Sequence, residues 1–490
     1  MLVVGRDRRA ADAGGVGVKK IAIINFTGFR GNWGCQATSI ELVKFISGCF
    51  PEDEALDFSF VPLLPTSKVD MAYDRQLDRV FEAFTDVAEA RAGAGRSLDY
   101  LERACTERYG FWADRVKEAD LVVFQAEGTM GMGASFARGP RLMLLPFVAK
   151  HAWGRMVISL NQSFYSHEAH IRKNAAEAFG SFDFAAFREG ASVALARVSG
   201  VANAAYVPDV AFLSPKAEME PSPLKAGEGY FAVSGSALKD PRRYELIMEQ
   251  ADRIRAETGL KPLLALSRDY KMTLRAMMKW KRGSYARVPA SARYAQVTGL
   301  FSKCQFLLSG RYHMSILSAA AGTPNVILTG NSFKNEGLVS LLAANRPVHD
   351  FADSDAIVSE ALGILDNLDE ERAALREQVA KIRETILRAQ GHVAGIIAGA
   401  PPEPFEDGLP EYDLKPEILE RYYAHGRGKG DKPSRALPGK RRGKDHPMTA
   451  ILEPLADGLA EDREHSMGAL RKMAKADTGF KAALGARLSR

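Results

Sequence analysis

Residues Gln305–Gly337 read QFLLSGRYHMSILSAAAGTPNVILTGNSFKNEG. Gln305–Leu308 has the uncharged apolar run of a buried strand, and Gly310 beyond it lets the backbone turn sharply. Small residues continue at helical length to Ala321, and Gly322-Thr323-Pro324 stops them, as glycine and proline commonly do. Val326–Leu328 is a second apolar run, and Asn331-Ser332-Phe333-Lys334-Asn335-Glu336-Gly337 is a polar loop after it. Strand, helix and strand in so short a span predict a βαβ unit with parallel strands.

The same alternation fills the rest of the chain. Strand-like runs stand at Ile21–Ile24, Phe58–Val61, Leu121–Phe124, Met156–Leu160, Phe184–Phe187 and Ala205–Val207, then at Tyr230–Val233 and Pro262–Leu266. Segments of helical period lie between them, such as Ala72–Ala90, Ser97–Ala119, Arg242–Thr258 and Ala290–Ser302. Leu213–Gly229 interrupts the pattern with Pro215, Pro221, Pro223, Gly227 and Gly229 and predicts a linker. The expected architecture is α/β: two doubly wound Rossmann-like domains, 19–213 and 230–400, joined through 214–229 and facing a central ligand cleft. Ser354–Gln390 reads as helical and closes the second half. Residues 1–18 read as a disordered leader, and 401–490 as a C-terminal extension, partly disordered and basic.

Bulk properties exclude several classes. The four cysteines, Cys35, Cys49, Cys105 and Cys304, have no paired short spacing, so neither a disulfide framework nor a zinc site is expected. Arg6, Arg8 and Arg9 interrupt the apolar start, which argues against a signal peptide, and no uncharged apolar run is long enough to span a bilayer. A cytoplasmic protein is expected. The net charge of +6 is concentrated between Arg427 and Lys444, where eight basic residues face one acid, Asp431. The body is therefore almost neutral, and no nucleic-acid partner is expected. The basic segment is a candidate for peripheral contact with the inner membrane face, although a solvated linker is the commoner role of such runs.

Chemistry-bearing residues gather at strand ends. Gly310 turns a strand into a helix whose free N–H groups favour an anion. Arg311 can grip a carboxylate or phosphate with two parallel hydrogen bonds, and Lys334 follows the next parallel strand to the same edge. His313 lies within reach of the same ligand, and imidazole is the side chain suited to proton transfer near neutrality. In the first half, Gly31-Asn32-Trp33-Gly34, Gln125-Ala126-Glu127-Gly128-Thr129, Phe187-Arg188-Glu189-Gly190 and Pro208-Asp209 end strands in the same way. Arg188 reads as a ligand-binding cation, whereas Asp209 fits a turn cap equally well. Asn161-Gln162-Ser163 offers neutral hydrogen-bonding groups of the kind sugars need.

Taken in order, these pieces resemble the polysaccharide pyruvyltransferase family. The resemblance rests on Asn32-Trp33-Gly34 with Gln36, Glu127-Gly128-Thr129, Phe187-Arg188-Glu189 with Ser192, and Pro208-Asp209. It continues through Gly310-Arg311-Tyr312-His313, Gly322-Thr323-Pro324 and Asn331-Ser332-Phe333-Lys334 with Gly337, and spans roughly residues 19–345. It implies a GT-B-like fold, phosphoenolpyruvate as donor, and a pyruvate ketal on a sugar of a cell-surface polysaccharide or lipid-linked saccharide as product. By motif position it makes His313 the acid/base and Arg188 and Lys334 donor-binding candidates; Arg311 joins them on the physical grounds above. Asn32, Glu127 and Asp209 remain acceptor or loop candidates, with Glu127 and Asp209 both open as general base. The chain departs from many relatives in carrying Gln125-Ala126-Glu127-Gly128 where they have three glycines, and from some in carrying Cys35 where they have an acid. The implied chemistry requires cationic clamps and a proton donor, and no metal or cofactor.

The main rival is a GT-B-type glycosyltransferase using a nucleotide sugar. Many of these place a Glu on the helix before the Gly-x-Pro turn to accept from the donor ribose, and Met314–Ala321 contains no acid. A non-catalytic interaction protein acting through the basic segment is the third reading, and the cationic strand ends weigh against it.

Overall fold

The computed structural model describes residues 18–62, 94–130, 139–164, 169–236, 240–266, 283–344, 346–401, 403–409 and 412. The helix expected at 72–90, the leader up to residue 17 and the basic segment at 427–444 lie outside the described residues.

In the first half, β1 (Lys19–Phe26), β2 (Leu56–Pro62), β3 (Leu121–Phe124), β4 (Met156–Gln162), β5 (Phe184–Phe187) and β6 (Ala204–Tyr206) form one sheet in the order β2-β1-β3-β4-β5-β6. In the second half, β7 (Tyr230–Ser236), β8 (Lys261–Leu264), β9 (Ala286–Arg287), β10 (Leu307–Gly310) and β11 (Asn325–Ile327) form another, ordered β11-β10-β7-β8-β9. All described pairings within both sheets are parallel. Strands such as β3 and β5 are buried along their whole length, as expected when helices cover both faces. Strand order reverses beside β1 in the first sheet and beside β7 in the second. Ligands of such sheets bind at the carboxyl ends of the strands flanking a reversal, which directs attention to the loops after β1, β3 and β10.

The helices are α1 (Trp33–Ser47), α2 (Ala94–Tyr109), α3 (Phe111–Lys117), α4 (Gly139–His151), α5 (Ala169–Ser181), α6 (Gly190–Val198), α7 (Pro241–Thr258), α8 (Tyr294–Phe301), α9 (Tyr312–Ala321), α10 (Lys334–Leu341), α11 (Ser354–Asp366) and α12 (Leu368–Ile397). Two expected helices are each divided. Gly110, at φ 51°, separates α2 from α3, and Asn367 separates α11 from α12. Strand β9 has no counterpart among the expected strands.

The last helix does more than close the second half. It runs back along the first, where Arg383 Nε donates to the Phe212 carbonyl (2.8 Å) and Gln390 Nε2 to the Phe45 carbonyl (2.7 Å). Packing also continues past residue 400, where Arg388 Nη2 donates to the Asp407 carbonyl (2.7 Å) and Phe405 lies against Phe184 and His392. A continuous apolar core joins the first sheet, α1 and α9 to one face of the second sheet, and a separate cluster fills that sheet's other face.

Candidate active site

Six of the seven residues singled out by sequence line one cavity of about 240 Å³: Asn32, Glu127, Arg188, Arg311, His313 and Lys334. They come from the carboxyl ends of β1, β3 and β5 in the first half, and from the starts of α9 and α10 in the second. Helix starts dominate the wall. Asn32 caps α1 by accepting from the Gly34 N–H at 3.0 Å, Arg311 is the cap residue of α9, and Lys334 is the first residue of α10. The positive ends of these helices favour an anion between them.

Gly34 explains how the halves meet. A Cβ there would lie 2.5 Å from His313 Cβ, so only glycine allows α1 to approach α9 this closely. Trp33 secures the approach by donating its indole N–H to the Ala292 carbonyl at 2.7 Å.

A buried ionic cluster forms the cavity floor. Arg188 Nη1 lies 2.9 Å from Asp209 Oδ2 and 3.2 Å from His313 Nε2, and His313 Nε2 lies 3.2 Å from Asp209 Oδ2. Arg188 Nε donates to Ser163 Oγ at 3.1 Å, Glu189 Oε2 approaches it at 3.5 Å, and the guanidinium sits 4.7 Å from the Tyr312 ring centre. Burial by itself disfavours an ionised Asp209. The hydrogen bond and charge of His313, with the charge of Arg188, outweigh it and hold the carboxyl well below the usual carboxylate range. On Glu189 burial outweighs the Arg188 charge and the Ser163 and Ser192 hydrogen bonds, and its carboxyl is pushed up. His313 Nε2 thus meets a group that only accepts, Asp209, and one that only donates, Arg188, and the two contacts fix the orientation of the imidazole with Nδ1 on its far side.

Asp209 needs correction as an acceptor candidate. It is completely buried, and its other oxygen caps the short 3-10 turn Val210–Leu213 through the Ala211 N–H at 3.0 Å. It pairs with Arg188 and His313 beneath the cavity and is not among the residues that line it. Asn161, Gln162 and Ser163 are likewise buried. Asn161 accepts from the Val210 N–H (3.1 Å), Gln162 Nε2 donates to Ser159 Oγ (2.9 Å), and Ser163 accepts from Arg188, so they support the floor rather than a sugar.

Lys334 is half-buried in the cavity wall, its Nζ 2.7 Å from where a Cβ on Gly128 would stand. Burial, then the charge of Arg188, push its ammonium down to about 8. No ion pair of Lys334 occurs among the described residues. Glu127 lies across from it, holding Thr27 Oγ1 with one oxygen and the Cys35 thiol, at 3.7 Å, with the other. Burial, then the Glu127 carboxylate, push that thiol up to about 12, so Cys35 is inert as a nucleophile. Among the described residues no group of three or more His, Cys, Asp or Glu is arranged to hold a metal ion, and no helix is long and apolar enough to cross a membrane. Sequence reasoning missed the roles of Tyr312, Ser163 and Gly34. A glycine in the first turn of a good helix, where it costs helix propensity, was the one available signal.

Fold and site together define an α/β scaffold of GT-B type, two parallel sheets with a cleft lined by Arg188, Arg311 and Lys334 between its halves. The chain belongs to the polysaccharide pyruvyl transferase family, whose sequence profile matches residues 32–332. No curated protein matches it significantly. Among solved structures, a Listeria monocytogenes protein assigned as a UDP-N-acetylglucosamine 2-epimerase is similar in fold. It is 10% identical with a TM-score of 0.50, over 79% of this chain and 99% of that one. The S. aureus protein MnaA, solved with UDP, is 12% identical with a TM-score of 0.49, over 79% of this chain and 100% of that one.

Proposed function

We propose that this transferase moves the pyruvyl group of phosphoenolpyruvate onto two hydroxyls of a sugar, forming a cyclic ketal in the synthesis of a cell-surface polysaccharide or lipid-linked glycan. Lys334 carries this reading: a desolvated ammonium with no ion pair among the described residues, beside Arg188 and Arg311 and at a helix start. Desolvating a lone cation is unfavourable, and a bound anion offsets that cost. Phosphoenolpyruvate presents a carboxylate and a phosphate to such a set of cations. The alternative donor, a nucleotide sugar, is supported less, because α9 offers no acid for a ribose hydroxyl.

In this reading the protonated His313 delivers a proton to the methylene carbon C3, while a sugar hydroxyl attacks C2. The C2–O bond to phosphate then breaks, and a second hydroxyl closes the ring. Of the two hydroxyl protons, one is balanced by the new methyl hydrogen and the other leaves with phosphate. Asp209 holds the imidazole in one orientation, and Arg311 and Lys334 neutralise charge on the departing phosphate.

Thermal melting with phosphoenolpyruvate against a panel of nucleotide sugars tests the donor. At about a hundred times its dissociation constant the true donor adds roughly 2.7 kcal/mol, a shift of a few degrees. Stabilisation by phosphoenolpyruvate that disappears in Arg311→Ala and Lys334→Met supports the proposal; stabilisation by a nucleotide sugar alone refutes it.

A further inference from the structure

Glu127 holds a backbone conformation that glycine adopts freely and glutamate does not, with φ at 49°. Strain of this kind concentrates at functional sites, and it persists only where surrounding contacts impose it. Here the Glu127 carbonyl accepts from the Ser163 N–H at 2.8 Å, while Thr27 Oγ1 and Gln125 Nε2 (3.5 Å) hold carboxylate oxygen Oε1. The other oxygen, Oε2, has the neutral Cys35 thiol at 3.7 Å, a weak donor, and so keeps capacity for a ligand. Glu127 is the one carboxylate among the described residues lining the cavity. Asp209 is sealed beneath Arg188 and His313. The charged or titratable groups facing Glu127 are Cys35 from α1, Arg188 from the end of β5 and Lys334 from α10.

We infer that Glu127 is the general base that takes the proton of the acceptor hydroxyl as its oxygen attacks C2 of phosphoenolpyruvate. The assignment rests on the pyruvyl-transfer reading and completes it. As the new C–O bond forms, the hydroxyl proton passes to Glu127 Oε2 while the C2–C3 π pair takes the proton of His313 at C3. Glu127 gives its proton to the departing phosphate, returns to carboxylate, and receives the proton of the second hydroxyl. That last proton recharges His313 through solvent, so the two hydroxyl protons account for those gained by C3 and phosphate.

The test compares wild type with Glu127→Gln, which keeps size and hydrogen bonding but cannot accept the proton, and Glu127→Gly, which removes both carboxyl and strain. Phosphate release from phosphoenolpyruvate is followed with a set of methyl hexopyranosides and with water, whose attack yields pyruvate through the same base. Stabilisation by phosphoenolpyruvate is measured alongside. The expected result is that Glu127→Gln retains the donor-induced shift while turnover falls by about 10²–10⁴-fold, the usual range for a general base. Glu127→Gly melts no lower than wild type yet is equally slow, separating lost chemistry from lost fold. Undiminished turnover in Glu127→Gln against an active wild type overturns this assignment alone. A wild type that phosphoenolpyruvate neither stabilises nor donates to overturns pyruvyl transfer itself, and the assignment with it.

Discussion

On the proposed pyruvyl-transfer reading, Lys334 makes donor affinity depend on pH in one direction. In the free cleft, burial and then the Arg188 charge push its ammonium down to about 8. A bound phosphate or carboxylate supplies the missing counter-charge, so the lysine keeps its proton in the complex well above that value. Below the free value the protein already carries the proton, and binding takes up none. Above it, every binding event must draw one from solvent, so affinity is level toward neutrality and declines in mild alkali. With a free value of about 8 and full protonation in the complex, the Kd for phosphoenolpyruvate rises about tenfold from pH 7 to pH 9, or about 1.4 kcal/mol. About half a proton is taken up per ligand near the midpoint. Titration calorimetry at three pH values, in two buffers of unlike ionisation enthalpy, measures both quantities. Lys334→Met should bind weakly and without the slope, whereas Lys334→Arg should bind without the slope because its charge does not titrate in this window. A wild-type Kd that stays constant from neutrality into alkali, or a slope that survives in Lys334→Met, refutes the reasoning.

Other substitutions separate fold from chemistry. Gly34→Ala places a methyl 2.5 Å from His313 Cβ; overpacking of this kind costs about 1–3 kcal/mol, and turnover should fall further than melting temperature because His313 itself is displaced. Asp209→Asn leaves Arg188 charged and buried without its main partner, a loss of about 3–5 kcal/mol in denaturant unfolding. The same aspartate sets an acid limit. Its folded value lies below its unfolded one, so its contribution is complete above the ordinary aspartate range and fades as pH falls through the folded value. Acid unfolding of Asp209→Asn should lack that component, and an unchanged acid profile would contradict the ion-pair assignment.

What the sequence disclosed followed from local regularity. The β10–α9–β11 unit was legible because apolar runs of strand length flank a small-residue helix with glycine at its end. Sites at strand ends were legible for the same reason, since parallel topology delivers every such loop to one edge. Strand β9 escaped because Ala286–Arg287 is too short to show alternation, and its place depends on Leu263 and Leu264 beside it. Arg188 was visible as a cation, but its partners come from four chain segments, and spacing does not encode which acid stays ionised. Gln162 illustrates the converse. Its type suggested a sugar contact, yet it is buried and its amide nitrogen donates to Ser159 Oγ and the Ala186 carbonyl inside the sheet edge.

The division of the ionic cluster between halves has a mechanical consequence. Arg188 and Asp209 belong to the first half and His313 to the second, and all three share contacts of 3.2 Å or less. Separating the halves removes the imidazole from a carboxylate that is fully buried, a loss the low-dielectric floor makes expensive. Other bonds bridge the same seam: Trp33 to the Ala292 carbonyl, and the Tyr294 hydroxyl to Glu41, a carboxylate only 3% exposed. Helix α12 then ties the second half back to Phe45 and Phe212. Because α1 carries both this seam and the cap residue Asn32, interdomain packing and site geometry are set by one helix. Weakening the seam, as in Trp33→Phe, which keeps the ring's bulk but loses its N–H, should lower turnover and melting temperature together. Each lost bridge costs on the order of 1 kcal/mol, and lowered stability with unaltered turnover would show that alignment is set elsewhere.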